Sequence, residues 1–485
     1  MPLLDVNDIF TSGGVMKNQK KIYELCIKLS SIFAGALILI FALTFGIRKI
    51  EFKKISEAPE LSVEQTYELQ NQMLAKYSSF YETLQNLPYE LVPAELDVKA
   101  ESAILIDTAN GNILYEKNAE EVIPPASMTK LFAMYVVDEE VAAGNLSYDQ
   151  IIPLPPESWA CNMPPHSSLM FLGEGQIVTL EELLLGLSVC SGNDAAYALA
   201  YTVCGSMESF VERMNQVAFN LGLKNTHFVE SSGYSEENTT TAKEMAEFCC
   251  VYLNHHPDSL EKFHSVSSFT YPKKENLAPG DMIENQDFSQ GLPRHITMPI
   301  TQKNTNPLLG KLDGCDGLKT GYIDESGYNL ALTAKRNGMR FLSVTMKGPG
   351  KTVSEGQSGR IHDGTELMEW AFSSFSDYSL FVYNHPYFVK TYGSAKKAVN
   401  LVPAYSPECV TVPFMKGESL AENLTYVSVV ENVPDYIFGS VVAGQSYGSI
   451  KIFLGDYLLQ EIPLIADRSL KKSNAFIQII DKMLL

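Results

Sequence analysis

Ser127-Met128-Thr129-Lys130 sets a hydroxyl and an amine three residues apart. On a helix that spacing puts both on one face, with β-carbons about 5–6 Å apart. A serine hydroxyl is a weak nucleophile until a base removes its proton. A lysine one turn away does so once burial or a neighbouring charge lowers its pKa. Pro124-Pro125-Ala126 stops the preceding segment and starts a helix near Ser127. The serine then stands at a helix N-terminus, where amide N–H groups and the dipole favour an oxyanion. Alone the motif is weak: Ser259/Lys262, Ser394/Lys397 and Ser469/Lys472 repeat it, and each reads equally as a solvated helix face or loop.

Two later triplets add complementary chemistry. Ser191-Gly192-Asn193 brings a second hydroxyl and an amide, with Asp194 just behind. The hydroxyl can pass a proton between base and leaving group, and the amide can bind a peptide carbonyl; an ordinary helix cap is the plain alternative. Lys319-Thr320-Gly321 places a cation and a hydroxyl on a strand, a clamp for a carboxylate. Gly321 permits close backbone approach by substrate, and the Tyr322 N–H offers a second oxyanion donor. The plain alternative here is an edge strand bearing a lysine. None of the eight histidines lies in an HExxH or GxSxG context, so they read as structural or surface residues. No metal site is expected: the eight cysteines form no CxxC pair and no zinc spacing, and most read as small buried hydrophobes. One or two disulfides stay open if the domain is exported.

These residues need elements to hold them. Ser102–Asp107 and Ile113–Tyr115 flank a glycine turn and predict a hairpin. Helices are expected from Ser127 to about Ala143 and across Leu180–Cys204. Tyr328–Lys335 and Arg340–Lys347 alternate polar and apolar residues around Asn337-Gly338, the favoured two-residue hairpin turn. Strands at both ends with helices between them predict an α/β fold with an antiparallel sheet. Beyond Phe375, short strand-like runs separated by Gly, Pro, Asn and Asp predict a separate β domain over 380–470, then a short apolar tail at 471–485.

The N-terminal region is different. Leu29–Ile47 carries no charge and, at about 1.5 Å per residue, covers about 28 Å, close to a bilayer core. No small-x-small cleavage site follows, and Arg48 and Lys49 stand where a cut would fall, so a retained transmembrane helix is favoured over a signal peptide. It leaves 1–28 as a short cytoplasmic N-terminus and 48–98 as a polar stalk, helical over Leu61–Leu87. Basic residues are balanced on the two sides, so flanking charge sets no orientation. With 485 residues, several domains are expected. A formal net charge of −20 argues against nucleic acid, whose binding depends on neutralising phosphates, and against a basic lipid-binding surface.

The three motifs, in this order, resemble the serine penicillin-recognising enzymes, and among them the low-molecular-mass penicillin-binding proteins, the D-alanyl-D-alanine carboxypeptidases of peptidase family S11. PPASMTKLFAMYVV, LEELLLGLSVCSGNDAAYALA and GCDGLKTGYIDESGYNLALTAKRNGMRFLSV carry the likeness, which runs from about Ala100 to Phe372. It implies an antiparallel sheet with helices on both faces and a helical subdomain at 99–375, a β-lactamase/penicillin-binding-like fold, followed by the small all-β domain. It implies removal of the terminal D-alanine from peptidoglycan stem peptides through an acyl-enzyme on Ser127, with β-lactams as inhibitors and no cofactor. Lys130 is then the base, Ser191 the proton relay, and Asn193, Lys319, Thr320, Gly321 and Tyr322 the substrate-binding set. The catalytic domain is then expected outside the bacterial cell membrane, on a single-pass anchor. A related endopeptidase or transpeptidase, or a β-lactam sensor without turnover, are the alternatives. Gly192 departs from the Ser-Asp-Asn of β-lactamases. Asn238-Thr239-Thr240-Thr241-Ala242 departs from the family's histidine-led Ser-Thr-Ala stretch, and the anchor lies at the N-terminus where relatives often carry a C-terminal amphipathic helix.

Overall fold

The structure is a computed structural model that describes residues 12–56, 84–86, 95–109, 111–378, 386–404, 410–413, 425 and 427–485. Ser12–Lys54 is one helix, α1. Its stretch from Gln19 is long and apolar enough to cross a membrane, and its hydrophobic window is not buried by the rest of the chain. Most of the helix expected at 61–87 lies outside the described residues.

Strands β1 (Ser102–Asp107) and β2 (Asn112–Lys117) form the first hairpin. Because strand side chains alternate between faces, Ala103 and Leu105 enter one core while Ile104 and Ile106 enter another. A 3₁₀ turn at Ala126–Met128 leads into α2 (Thr129–Ala142), buried along its first ten residues. The helical run expected over Leu180–Cys204 is two helices, α3 (Leu180–Ser188) and α4 (Asn193–Cys204). Ser191 adopts φ 59° and Gly192 an extended conformation, so the Ser-Gly-Asn triplet breaks the helix rather than capping a continuous one. Helices α5 (Met207–Asn220) and α6 (Ala242–His255) follow, then strands β3 (Ser268–Tyr271) and β4 (Ile300–Lys303), paired in a small sheet of their own.

The long strands β5 (Cys315–Ile323), β6 (Gly327–Arg336) and β7 (Met339–Gly348) complete the main sheet in the order β2-β1-β7-β6-β5, all antiparallel. Residues 85–86 add a two-residue parallel strand beside β2. Asn337 and Gly338 both have positive φ, as the two-residue turn requires. Helix α7 (Val353–Ser374) covers the face of Leu330, Leu332 and Phe341. The helical subdomain covers the opposite face, where Ala331, Leu342 and Val344 point. The expected architecture, helices on both faces of an antiparallel sheet, is therefore present.

A second six-stranded sheet follows: β8 (Tyr387–Tyr392), β9 (Ala398–Pro403), β10 (Val427–Asn432), β11 (Tyr436–Phe438), β12 (Ser446–Leu454) and β13 (Tyr457–Ala466), in the order β10-β12-β13-β9-β8-β11, with its own core. The apolar tail is not irregular. It forms α8 (Ala475–Leu484), whose N-cap Asn474 accepts from Ile477 N at 2.9 Å.

Helix α8 packs against the distal part of α1. Phe476 meets Phe41 edge to face, with ring centroids 6.0 Å apart. Asp481, fully buried, accepts from the Arg48 guanidinium and from Gly393 N at 2.7 Å. Phe52 stacks on Tyr392 at 4.1 Å, and Lys397 pairs with Glu51 at 2.8 Å. The second sheet is thus fixed to the end of the apolar helix. Asp481→Ala leaves Arg48 and the Gly393 amide without their carboxylate, at a cost of about 3–5 kcal/mol for the broken buried pair. Hydrogen exchange should quicken at 386–404 and in α8, while β5–β7 stay protected; unchanged protection of the Gly393 amide would show that the pair holds nothing.

Candidate active site

Ser127 lies in the 3₁₀ turn, half-buried, in a cleft of ≈ 730 Å³ that Asn193, Tyr234 and Tyr322 also line. Lys130, one turn on, is fully buried. Its Nζ is 2.9 Å from Ser127 Oγ and 2.8 Å from Asn193 Oδ1, and it donates to the Ser232 carbonyl. All three partners are neutral oxygens. Burial pushes the Lys130 amine down to about 7, and the charges of Glu230 and Asp194 pull the other way without reversing it. The other three Ser-x-x-Lys matches form no such pair. Lys262 goes to Asp258 and Lys397 to Glu51, while Ser469 Oγ accepts from Ala443 N.

The second triplet faces the third. Lys319 Nζ donates to Ser191 Oγ at 2.9 Å and to the Thr320 carbonyl at 3.1 Å. Lys319 is as buried as Lys130, and its pKa lies well below the ordinary lysine value, first from burial and then from the charges of Lys130 and Arg360. Thr320 Oγ1 donates to Thr305 Oγ1 at 2.8 Å. The Asn193 amide holds Lys130 at one end and donates to Ser167 Oγ at 3.1 Å at the other. Gly321 also has another reason. A β-carbon there would sit 2.5 Å from the Pro125 carbonyl and 3.2 Å from Ser127 N. It is the chain's own backbone that comes close, which brings β5 past the Ser127 amide. Tyr322 is exposed at 45%, and its hydroxyl donates to Asp324 at 2.6 Å.

Several supporting residues escaped sequence reasoning. Glu230 accepts from Ser232 N and Gly233 N, both at 2.6 Å, and so shapes the turn whose Ser232 carbonyl holds Lys130. A β-carbon at Gly233 would sit 1.8 Å from the Ala126 carbonyl, so this turn presses directly on the Ser127 peptide. Asp194 accepts from Met170, Phe171, Leu172 and Ala195 N–H groups at 2.8–3.0 Å and fixes the loop beside the cleft. Arg360, on the buried face of α7, donates to the Gly321 and Asn329 carbonyls and lies over Tyr328. Asp194 was signalled by its place behind the triplet; Glu230 and Arg360 belong to no motif. The 238–242 stretch does not face the nucleophile with a titratable group. Asn238 is buried and donates to Thr129 Oγ1 at 3.2 Å, and Thr241 caps α6. Of the eight cysteines, the seven in the described residues are free, and only Cys190, Cys249 and Cys250 are buried. Cys204 and Cys315 are half-buried and pack against the two cores of the catalytic region, whereas Cys26 sits exposed on the apolar helix α1. No cluster able to hold a metal ion occurs among the described residues.

Comparison with known proteins agrees with this geometry. The sequence model of the family described as D-alanyl-D-alanine carboxypeptidase, peptidase S11, matches residues 90–350. D-alanyl-D-alanine carboxypeptidase DacF of Bacillus subtilis is 30% identical over 382 residues, covering 78% of this chain and 88% of that one. DacA of Escherichia coli is 33% identical over 289 residues, 59% of this chain and 64% of the other. Among solved structures, penicillin-binding protein 5 of Haemophilus influenzae superposes with a TM-score of 0.60 at 26% identity, covering 79% of this chain and all of that one.

The lowered Lys130 pKa has a measurable sign. A base must be neutral to take the Ser127 proton, so protonation below about 7 removes it. The rate of covalent labelling at Ser127 by an uncharged acylating probe should be level above that pH and fall about tenfold per unit below it. A rate that stays flat down to pH 5 would remove Lys130 from the role of base.

Proposed function

The chain belongs to the peptidase S11 family of D-alanyl-D-alanine carboxypeptidases, and on that premise we propose that Ser127 is the nucleophile that removes the terminal D-alanine from peptidoglycan stem peptides. The observation that carries this reading is the buried Lys130 amine, 2.9 Å from Ser127 Oγ and surrounded by neutral oxygens. Neutral Lys130 takes the Ser127 proton. Ser127 Oγ attacks the carbonyl of the penultimate D-alanine, and the N–H groups of Ser127 and Tyr322 hold the oxyanion. The close approach of Gly321 to the Pro125–Ser127 backbone supports that pairing of donors. Ser191 passes a proton to the departing D-alanine nitrogen as the C–N bond breaks. Lys319 and Thr320 receive the terminal carboxylate, which gives Lys319 the negative partner its hydrogen bonds lack. Water then attacks the ester and frees Ser127. Asn193 serves chiefly to orient Lys130. β-Lactams, which present a similar acyl group, label the same serine.

Membrane attachment through α1 and a catalytic domain outside the cytoplasm complete the proposal. The length and apolarity of α1 and the cell-wall substrate support it. Protease added to intact spheroplasts should cut the catalytic domain, and N-terminal sequencing of the mature chain should still find residues before Leu29. A mature chain beginning near Arg48 would make the segment a signal peptide.

The two lysines separate cleanly by substitution. A β-lactam adduct located by mass spectrometry should fall on the peptide containing Ser127, not Ser191. Lys130→Ala should slow acylation by peptide and β-lactam alike by roughly 10²–10⁴-fold, the range for losing a general base. Lys319→Ala should hurt a peptide with a free terminal carboxylate far more than its amidated analogue, measured as D-alanine or D-alaninamide released. Arginine should restore part of the activity at 319 and none at 130, because a guanidinium hardly deprotonates. Equal rescue at both positions would send the search for the base elsewhere.

A further inference from the structure

His264 is completely buried and has no part in the chemistry above. It ends a single π-helical turn, Leu260–His264. Its Nδ1 lies 3.3 Å from Ser188 Oγ and its Nε2 3.1 Å from the Tyr252 hydroxyl. Tyr252 donates in turn to Asp138 Oδ2 at 3.2 Å, and Tyr148 donates to Asp138 Oδ1 at the same distance. His264 also packs against β5, where a β-carbon at Gly317 would come within 3.2 Å of the His264 β-carbon.

Each contact falls beside a working residue. Ser188 closes α3 three residues before Ser191. Gly317 lies two residues before Lys319 on β5. Asp138 lies two turns beyond Lys130 on α2. The segment after β4 is pinned to the same point. Asn304 donates to the His264 carbonyl at 3.3 Å and Asn306 to the Gly317 carbonyl at 3.1 Å, either side of the Thr305 that meets Thr320. Burial keeps the imidazole neutral, at about 4. A neutral ring in this place does no acid–base work at neutral pH but holds neighbours by hydrogen bonds that would be costly to leave unmade.

We propose that His264 is a positioning residue for the Ser191–Lys319 pair, joining the end of α3, the Lys319 segment of β5 and, through Tyr252 and Asp138, the helix that carries Lys130. It rests on the reading of Ser127 as the acylated nucleophile. Misplacement by about 1 Å costs on the order of 10²-fold in well-oriented reactions. The full chain, purified in detergent, is treated with a fluorescent penicillin, and both the final stoichiometry and the second-order acylation constant are read. His264→Ala should keep full stoichiometry, the sign of a folded site, and lose roughly 10–100-fold in rate. His264→Gln should recover part of that loss. Ser188→Ala, a small change that removes the link to α3 together with the Ser188 bond to the Phe263 carbonyl, should lose several-fold and carries the test if His264→Ala does not fold. In a Lys319→Ala background His264→Ala should cost less than about twofold more, because coupled residues are not additive. Wild-type rates in Ser188→Ala and His264→Gln, or fully multiplicative losses in the double variant, would overturn the proposal. Absence of a Ser127 adduct in the wild type would overturn the nucleophile reading itself, and this inference with it.

Discussion

Two lysine side chains, buried to 0% and 1% exposure, share one cleft without a carboxylate in contact with either. Taking an ammonium out of water is expensive unless it is paired. The chain meets this by surrounding each amine with neutral oxygens, Ser127, Asn193 and Ser232 for Lys130, Ser191 and Thr320 for Lys319. The carboxylates that are near spend their hydrogen bonds elsewhere, Asp194 on backbone N–H groups and Glu230 on backbone N–H groups, the Ser232 hydroxyl and the Asn238 amide. They act on Lys130 through space and leave its lone pair available. A direct ion pair would have held the amine protonated and ended its use as a base.

That arrangement sets demands on the backbone. The Ser127 peptide is gripped between β5 and the 230–235 turn, and both approaches are possible only at glycine, Gly321 and Gly233. Ala126 and Ser191 take positive φ, 49° and 59°, although neither is glycine. Such conformations cost free energy and persist where the surroundings over-determine them. Here the surroundings are the buried core of the helical subdomain on one side and the Arg360 guanidinium on the Gly321 carbonyl on the other.

How much of this is legible in the sequence follows from the range of each interaction. The Asn337-Gly338 hairpin, the alternation in Ser102–Asp107 and the three motifs are local signals, and the elements form where these signals point. The break between α3 and α4 was hidden because Ser191-Gly192 looks like a cap inside a long apolar run. Helix α8 was hidden because it is short, and its partner α1 lies more than four hundred residues earlier. Glu230, Arg360 and His264 carry no local signature at all. Arg360 reaches the carbonyls of Gly321 and Asn329 on two strands, His264 reaches the Ser188 hydroxyl on another helix, and Glu230 shapes a turn whose Ser232 carbonyl meets the distant Lys130, relations that periodicity and spacing cannot express. Gly321 is needed for a second reason that its place in a Lys-Thr-Gly triplet does not express, the close approach of the protein's own Pro125–Ser127 backbone.

The charge balance shows why local geometry outweighs composition. A net charge of −20 ought to repel a substrate that ends in a carboxylate. At physiological ionic strength, however, charges in solvent are screened over about 8 Å. Lys319 is shielded from water and its hydrogen bonds go to neutral groups, so an arriving carboxylate interacts with it across little intervening solvent. Pairing also reverses the effect that burial and Lys130 exert on Lys319, raising its affinity for a proton as the anion settles. Under the proposed roles, the same event leaves Lys130 beside a neutralised neighbour, without a carboxylate of its own, still able to take the Ser127 proton. With that assignment, recognition of the chain end and readiness of the base are compatible in one cleft, because only Lys319 would meet the anion.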